Sequence, residues 1–253
     1  ANDVLESTFR VVLSSQPPLP GGWTEIAQVP MAPSGKLVKD GGMVSYEAST
    51  GELFVLKGYK TQDFYRYNIA TNTWLTLPSM PLGTEAKPPY KGANICPDGN
   101  GTFYATKGNN TSGFYKYTVE DSTWTQLTDV PLGLSNKKVK GGTDMVYVVD
   151  DTSEYVYVLK GYKTEFYRYN VNSATWETLA EAPIGAKAKY DKGSWLVYDE
   201  PNRKIYAHKA KYMEMYSYSL DSLTWSAMMP GLPASSLTIS ISSKRRPPLQ
   251  PVP

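Results

Sequence analysis

Short runs of apolar residues alternate with polar turn segments along this chain, in a pattern that suits β-strands and not helices. A mainly apolar run at 41–47 is followed by a second at 53–57 and by an alternating segment at 64–68. Turn-forming residues separate the runs, and Trp74 opens a fourth short run. This spacing predicts four antiparallel strands joined by tight turns.

The same pattern recurs about every fifty residues. Five tryptophans fall at spacings of 51, 50, 52 and 49, namely Trp23, Trp74, Trp124, Trp176 and Trp225. A tyrosine precedes each of the last four by seven positions, at Tyr67, Tyr117, Tyr169 and Tyr218. The second predicted strand ends in Lys57-Gly58, Lys107-Gly108, Lys160-Gly161 and Lys209-Ala210. One such unit cannot bury its own sheet, so neighbouring units must stack, as the blades of a β-propeller do.

With these motifs the chain resembles the kelch-repeat family, and in particular kelch repeats of secreted or cell-surface bacterial proteins. The resemblance implies blades with a diglycine after the second strand, a Tyr-x6-Trp pair and a Pro-containing exit. The chain departs from the family in one regular way, because Lys-Gly replaces the diglycine. Kelch propellers include both enzymes and binding modules, so the resemblance implies the fold and leaves the function open.

The repeats predict an all-β, kelch-type β-propeller that forms a single domain over residues 1–243. Four complete blades are expected at about 36–80, 87–131, 137–183 and 187–230. Strand-like segments at about 6–29 and 235–242 predict a fifth blade that is closed by both termini. A four-bladed ring with extra decoration is the alternative. Residues 244–253 are basic and Pro-rich, which indicates a tail or a linker.

The composition excludes several kinds of site. The 253 residues include one histidine, His208, and one cysteine, Cys96, so zinc sites of four cysteines or of two cysteines and two histidines cannot form. Copper sites with two imidazoles are excluded for the same reason. The sequence therefore predicts no cofactor, no metal and no catalytic residues. No apolar run is long enough to span a membrane.

Lysines cluster once the strands are placed in a sheet. Because adjacent strands are antiparallel, the loop after the second strand and the connection to the next blade share one face. Most of the lysines fall in these segments, while many acidic residues fall in the opposite turns, so the net charge of +2 hides a separation of charge. The candidate binding residues are Lys57, Lys107, Lys160, Lys209, Lys39, Lys91, Lys140, Lys192, Tyr59, Tyr162 and Tyr212.

A structural role competes with binding for the four lysines that end the second strand. Acidic residues recur just before the third strand, at Asp63, Glu165 and Glu214, where they could pair with these lysines. Gly113 occupies that position in the second repeat and leaves Lys107 unmatched. The repeated tyrosines and tryptophans, with Gly58, Gly108 and Gly161, are expected to be architectural.

The predicted function is non-catalytic binding of an anionic partner, an acidic glycan or an acidic protein segment, on the lysine-rich face. The tyrosines there favour glycan over nucleic acid, because an aromatic ring suits sugar stacking and no nucleic-acid motif is present. A glycan-active enzyme that uses carboxylates or tyrosines in the same funnel is the first alternative, and a passive adhesion or spacer module is the second. We expect a monomeric, secreted or surface-exposed domain.

Overall fold

The computed structural model describes residue 22 and residues 24–150 and 153–231. Sixteen short strands make up almost all of its regular structure. They are β1 (Met43–Glu47), β2 (Glu52–Leu56), β3 (Phe64–Asn68), β4 (Thr73–Leu77), β5 (Ala93–Pro97), β6 (Thr102–Lys107), β7 (Phe114–Thr118), β8 (Thr123–Leu127), β9 (Asp144–Asp150), β10 (Ser153–Leu159), β11 (Phe166–Asn170), β12 (Thr175–Thr178), β13 (Trp195–Asp199), β14 (Lys204–Lys209), β15 (Glu214–Ser219) and β16 (Thr224–Trp225). A single 3₁₀ turn, Ala210–Tyr212, lies between β14 and β15.

The strands form four antiparallel sheets of four strands each, in sequence order. We number them sheet 1 (β1–β4), sheet 2 (β5–β8), sheet 3 (β9–β12) and sheet 4 (β13–β16). The predicted strands of the first repeat appear within one or two residues of their expected bounds. The all-β class and the four repeated four-stranded units are thereby confirmed.

The Tyr-x6-Trp spacing is explained by the register of the third and fourth strands. Each tyrosine lies directly opposite its tryptophan, as in the pairing of Tyr67 with Trp74. The ring centroids of the four pairs are between 4.8 and 5.2 Å apart. The seven-residue spacing therefore covers the end of the third strand, the tight turn and the start of the fourth strand. The two rings form a cross-strand aromatic pair.

Each sheet packs against the next through aromatic side chains. Phe64 of sheet 1 contacts Tyr117 and Trp124 of sheet 2, with ring centroids 4.9 and 5.1 Å away. Phe114 and Phe166 repeat this contact towards sheets 3 and 4. Burial of one such ring contributes about 2 to 3 kcal/mol, so these contacts hold consecutive sheets together.

A second repeated contact links each sheet to the segment that precedes it. The indole N–H of Trp124 donates to Pro78 O, that of Trp176 to Thr128 O and that of Trp225 to Ala180 O. Each acceptor lies just after or near the end of the previous sheet's fourth strand. In sheet 1 the indole of Trp74 donates to Ala27 O at 2.8 Å. Ala27 follows Trp23 by four residues, as Pro78 follows Trp74, so it holds the equivalent position.

The innermost strands neighbour one another in the order β1, β5, β9 and β13. Within the described residues, β13 and β1 show no comparable contact, so the arrangement is open between sheets 4 and 1. Most of the predicted closing blade, at about 6–29 and 235–242, lies outside the described residues, as does the tail at 244–253. No helix in the described part of the chain is long and apolar enough to cross a membrane.

Candidate functional site

One end of the sheets carries both the loops between second and third strands and the connections between sheets. We call it the loop end. Backbone hydrogen bonds tie each loop to the connection that leads into the next sheet, for example from Lys60 N to Pro89 O and from Tyr162 N to Tyr190 O. Asn110 N makes the corresponding bond to Val139 O. At the loop end the backbone of the loops and connections therefore forms a layer. The predicted binding residues belong to this layer or lie directly beneath it.

Four of the predicted binding lysines are buried beneath that layer. The side chains of Lys57, Lys107, Lys160 and Lys209 are all 0% exposed. Three of them pair with the expected acids, with N–O distances of 2.9 Å for Lys57–Asp63, 2.6 Å for Lys160–Glu165 and 3.3 Å for Lys209–Glu214. The four ammonium groups are therefore bound inside the protein, which favours the structural role that competes with binding for these lysines.

The buried clusters hold the connections in place. Lys160 donates to the carbonyl oxygens of Pro131, Leu132 and Lys137, in the turn that leads into its own sheet. Glu165 accepts hydrogen bonds from the backbone and hydroxyl of Ser135 in the same turn. Lys57 and Lys209 bind their turns in the same way, through Met31 O and Ile184 O. Each cluster thus fastens one connection to the core.

The acids of these clusters are held as carboxylates. Burial alone would raise the pKa of Asp63, but hydrogen bonds from Ser34 and Lys57 outweigh it and keep the pKa below its usual value. The pKa of Glu165 and that of Glu214 are lowered by the corresponding bonds, again against burial. A carboxylate in such a pair is a poor proton donor, which argues against these three residues as the acid of a glycan-active enzyme.

Lys107 is the exception among the four. Gly113 stands in the position of the acid, and the only hydrogen-bond acceptor of the Lys107 ammonium in the described part of the chain is Leu82 O. Glu85, from the turn, binds the backbone N–H of Ser112 at 2.8 Å and pairs with Lys138 at 2.5 Å instead. Burial lowers the pKa of Lys107, against the opposing attraction of Glu85 and Asp129, and it lowers the pKa of the paired Lys160 too.

A second group of lysines lies at the mouth, where the connections meet the innermost strands. We define the mouth lysines as Lys39, Lys91, Lys140 and Lys192, one from each connection. A Cβ placed on Gly141 would lie 2.8 Å from Lys192 Cγ and 3.5 Å from Lys91 Cβ. Side chains from sheets 2 and 4 therefore converge over sheet 3, and the glycine makes that approach possible.

The charge at the mouth is only partly neutralised. Lys91 pairs with Asp40 at 3.3 Å and also lies over the ring of Tyr90. Within the described residues, Lys39, Lys140 and Lys192 form no ion pair. Lys39 lies over the ring of Tyr59, 4.8 Å from its centroid. The mouth thus combines free ammonium groups with aromatic rings.

The three predicted binding tyrosines, Tyr59, Tyr162 and Tyr212, are half-buried around the mouth. Lys189 lies over the ring of Tyr162 at 5.1 Å, and Tyr212 lies beside the buried Lys209. Tyr59 and Tyr162 have a positive φ, of 52° and 65°, because the chain turns sharply after the Lys-Gly step. These turns leave the rings of Tyr59 and Tyr162 partly exposed at the loop end.

An acidic residue that the sequence did not single out lies on the innermost strands. Asp144 accepts hydrogen bonds from the side chain of Asn94 in sheet 2 and from Leu196 N in sheet 4, the latter at 2.6 Å. Burial raises its pKa to about 6, against the opposing effect of these bonds. Its carboxyl group therefore joins three sheets. No second carboxylate is bonded to it in the described part of the chain.

His208 and Cys96 do not form a site together. His208 stacks on Trp195 with ring centroids 5.1 Å apart, and burial lowers its pKa. Neither ring nitrogen has a hydrogen-bond partner within the described residues. Cys96 belongs to the core between sheets 2 and 3, where burial raises the pKa of its thiol. No group of three or more potential metal ligands occurs among the residues that the structure describes.

The comparisons with known proteins support the fold alone. No protein-family profile matches the chain, and no curated protein matches it either. A solved structure, that of an auxiliary nutrient binding protein from Bacteroides thetaiotaomicron VPI-5482, is similar with a TM-score of 0.51 and 11% sequence identity. The match covers 75% of this chain and 42% of that one, so the chain spans less than half of its structural neighbour. The chain is therefore similar to part of a bacterial binding protein in its fold.

Proposed function

We propose that this chain is a kelch-type β-propeller whose loop end binds an acidic polysaccharide at the mouth lysines. The observation that carries the proposal is the convergence of Lys91 and Lys192 over Gly141. Lysines that outnumber the acids paired with them, as the mouth lysines do, raise the local concentration of anions and bind them in a salt-dependent way. A binding role also agrees with the description of the structural neighbour as a nutrient binding protein.

The tyrosines favour a glycan over an acidic protein segment. Tyr59, Tyr162 and Tyr212 are half-buried beside lysines, so each offers part of an apolar ring next to a charge. A uronate or sulfated sugar carries both an apolar ring face and an anionic group, and fits this combination. Lysines bind such groups as point charges, without the bidentate geometry that arginine would supply. A secreted or surface location, and a monomeric domain, belong to the same proposal.

The experiment is a calorimetric titration with polygalacturonate and with a sulfated glycan, at low and at physiological salt. The variant Lys91→Gln/Lys140→Gln/Lys192→Gln is expected to bind at least about tenfold more weakly, because three ammonium groups are lost. Lys204→Gln, at the opposite end of sheet 4, is the matched control. Neutral dextran should not bind.

Four outcomes would contradict the proposal. If the mouth variant binds as the wild type does while Lys204→Gln is equally active, the anion does not lie at the mouth. If neither glycan binds even at low salt, but poly-glutamate does, the partner is an acidic protein segment. Absence of binding to all of these would favour the spacer function. Release of reducing ends during the titration would favour the glycan-active enzyme.

A further inference from the structure

The outer rim of the loop end carries an exposed aliphatic side chain at the start of every connection. These side chains occupy the same place in each repeat, after the proline that follows the fourth strand or its equivalent. They are Met31, Leu82, Leu132 and Ile184, with exposed fractions of 52%, 37%, 39% and 56%. Leu134, in the same turn as Leu132, is 95% exposed. We call these five residues the aliphatic rim.

The turn that presents each rim residue is fixed from below. Gly83, Gly133 and Gly185 follow Leu82, Leu132 and Ile184 and have φ values between 55° and 62°. Carbonyl oxygens of Leu82, Leu132 and Ile184 accept hydrogen bonds from the buried lysines Lys107, Lys160 and Lys209. The backbone is therefore held inward while the aliphatic side chains remain outside. The same exposed aliphatic position therefore recurs in every connection.

A lysine follows each rim residue within three to five positions. These lysines are Lys36, Lys87, Lys137 and Lys187, and within the described residues none of them forms an ion pair. Acidic residues are fewer in the same turns, and Glu85 is already paired with Lys138. Exposed aliphatic residues also occur at the opposite end of the sheets, where Ile69 and Leu223 are 52% and 40% exposed. There the neighbouring charges are acidic, as with Asp221 beside Leu223.

We infer that the aliphatic rim docks the loop end onto a lipid surface with anionic headgroups. Separate aliphatic side chains, one at the same place in each connection, suit a fluid layer that each can enter independently. Lysines beside them can extend towards the headgroups while their methylene chains stay in apolar contact. Electrostatic attraction and apolar insertion then act on the same face. This inference is independent of the proposed glycan site, which uses the mouth lysines.

Sedimentation of the full chain with lipid vesicles tests the inference. Vesicles of mixed phosphatidylcholine and phosphatidylglycerol should bind the wild type, and binding should fall when salt is raised. The variant Leu82→Ser/Leu132→Ser/Ile184→Ser should bind at least about tenfold more weakly, because its apolar insertion is lost. Leu134→Ser alone should reduce binding without affecting folding, since that side chain is almost fully exposed. Vesicles of phosphatidylcholine alone should bind weakly.

The matched control is Ile69→Ser/Leu223→Ser, which removes equally exposed aliphatic residues from the opposite end. It should bind vesicles as the wild type does. Equal binding by the rim variant, or equal binding to both kinds of vesicle, would overturn the inference. A rim variant that changes the sedimentation coefficient of the protein without vesicles would also overturn it, because the rim would then join two copies of the chain. The mouth variant Lys91→Gln/Lys140→Gln/Lys192→Gln should still sediment, which separates this result from the glycan proposal.

Discussion

At the scale of single residues, the four buried lysines allow a comparison between a buried charge with a carboxylate partner and one without. Three of them contact a carboxylate, and the fourth, Lys107, has none because Gly113 replaces the acid. All four are equally buried. A buried charge with a partner recovers part of its desolvation cost, whereas one without a partner does not. Replacing the lysine should therefore lower the free energy of unfolding much more at a paired position than at the unpaired one.

Lys160→Met should destabilise the protein by about 3 to 5 kcal/mol, because it leaves the Glu165 carboxylate buried without its cation. Lys107→Met should change the free energy of unfolding by no more than about 1 kcal/mol, or increase it, because it removes a buried charge that has no carboxylate in contact with it. Urea unfolding followed by tryptophan fluorescence measures both. Lys204→Met is the surface control. Equal losses at positions 107 and 160 would show that the methylene chain, and not the ion pair, stabilises these sites.

The Lys–acid pairs were predictable because their partners recur at a fixed distance along the sequence. Asp63, Glu165 and Glu214 each lie five or six residues after their lysine, and the absence of an acid in the second repeat is visible in the same alignment. Their depth of burial was not predictable, because the carbonyl oxygens that cover each ammonium come from turns more than twenty residues earlier. The approach of Lys91 to Lys192 depends on packing between residues about a hundred positions apart, which no local period records.

At the scale of elements, the turn that precedes each of sheets 2 to 4 is fitted to a tyrosine of the third strand. A Cβ on Gly83 would meet the hydroxyl of Tyr115, and a Cβ on Gly133 would meet that of Tyr167. Gly185 is related to Tyr216 in the same way. These glycines have both a positive φ and no room for a side chain. The turn can therefore pack against the tyrosine of the third strand only if glycine occupies this position.

Gly83→Ala should destabilise the protein by about 2 to 4 kcal/mol, because backbone strain and the collision with Tyr115 add together. Removing the hydroxyl with Tyr115→Phe should restore about half of that loss in the double variant, since the ring carbon then left lies at 3.3 Å, a tight contact that a small shift of the ring relieves. Gly99→Ala supplies the control, because Gly99 has a φ of 79° and nothing within 4 Å. A double-mutant cycle on thermal or urea unfolding measures the coupling. Additive effects would mean that the hydroxyl does not restrict the turn.

At the scale of the whole molecule, the four sheets present two unmatched faces. In sheets 1 to 3 a phenylalanine at the start of the third strand contacts the Tyr–Trp pair of the next sheet, and Met215 holds that position in sheet 4. On the other side, Trp74 of sheet 1 already bonds to Ala27, at the position that the preceding sheet's exit occupies elsewhere. The hydrogen bond from Ala27 N to the Asn72 side chain strengthens that attachment. A fifth sheet between sheets 4 and 1 would match both faces.

We therefore propose that both termini complete a fifth blade, as the strand-like segments at about 6–29 and 235–242 suggest. Deleting residues 1–29 and deleting residues 232–253 should each lower the melting temperature, because either deletion removes part of the same sheet. The double deletion should cost no more than the larger single one, since the second segment has nothing left to pair with. Calorimetry of the three truncated chains measures this coupling. Losses that simply add would indicate separate decorations on a four-bladed ring, and no loss from either deletion would mean that the gap stays open.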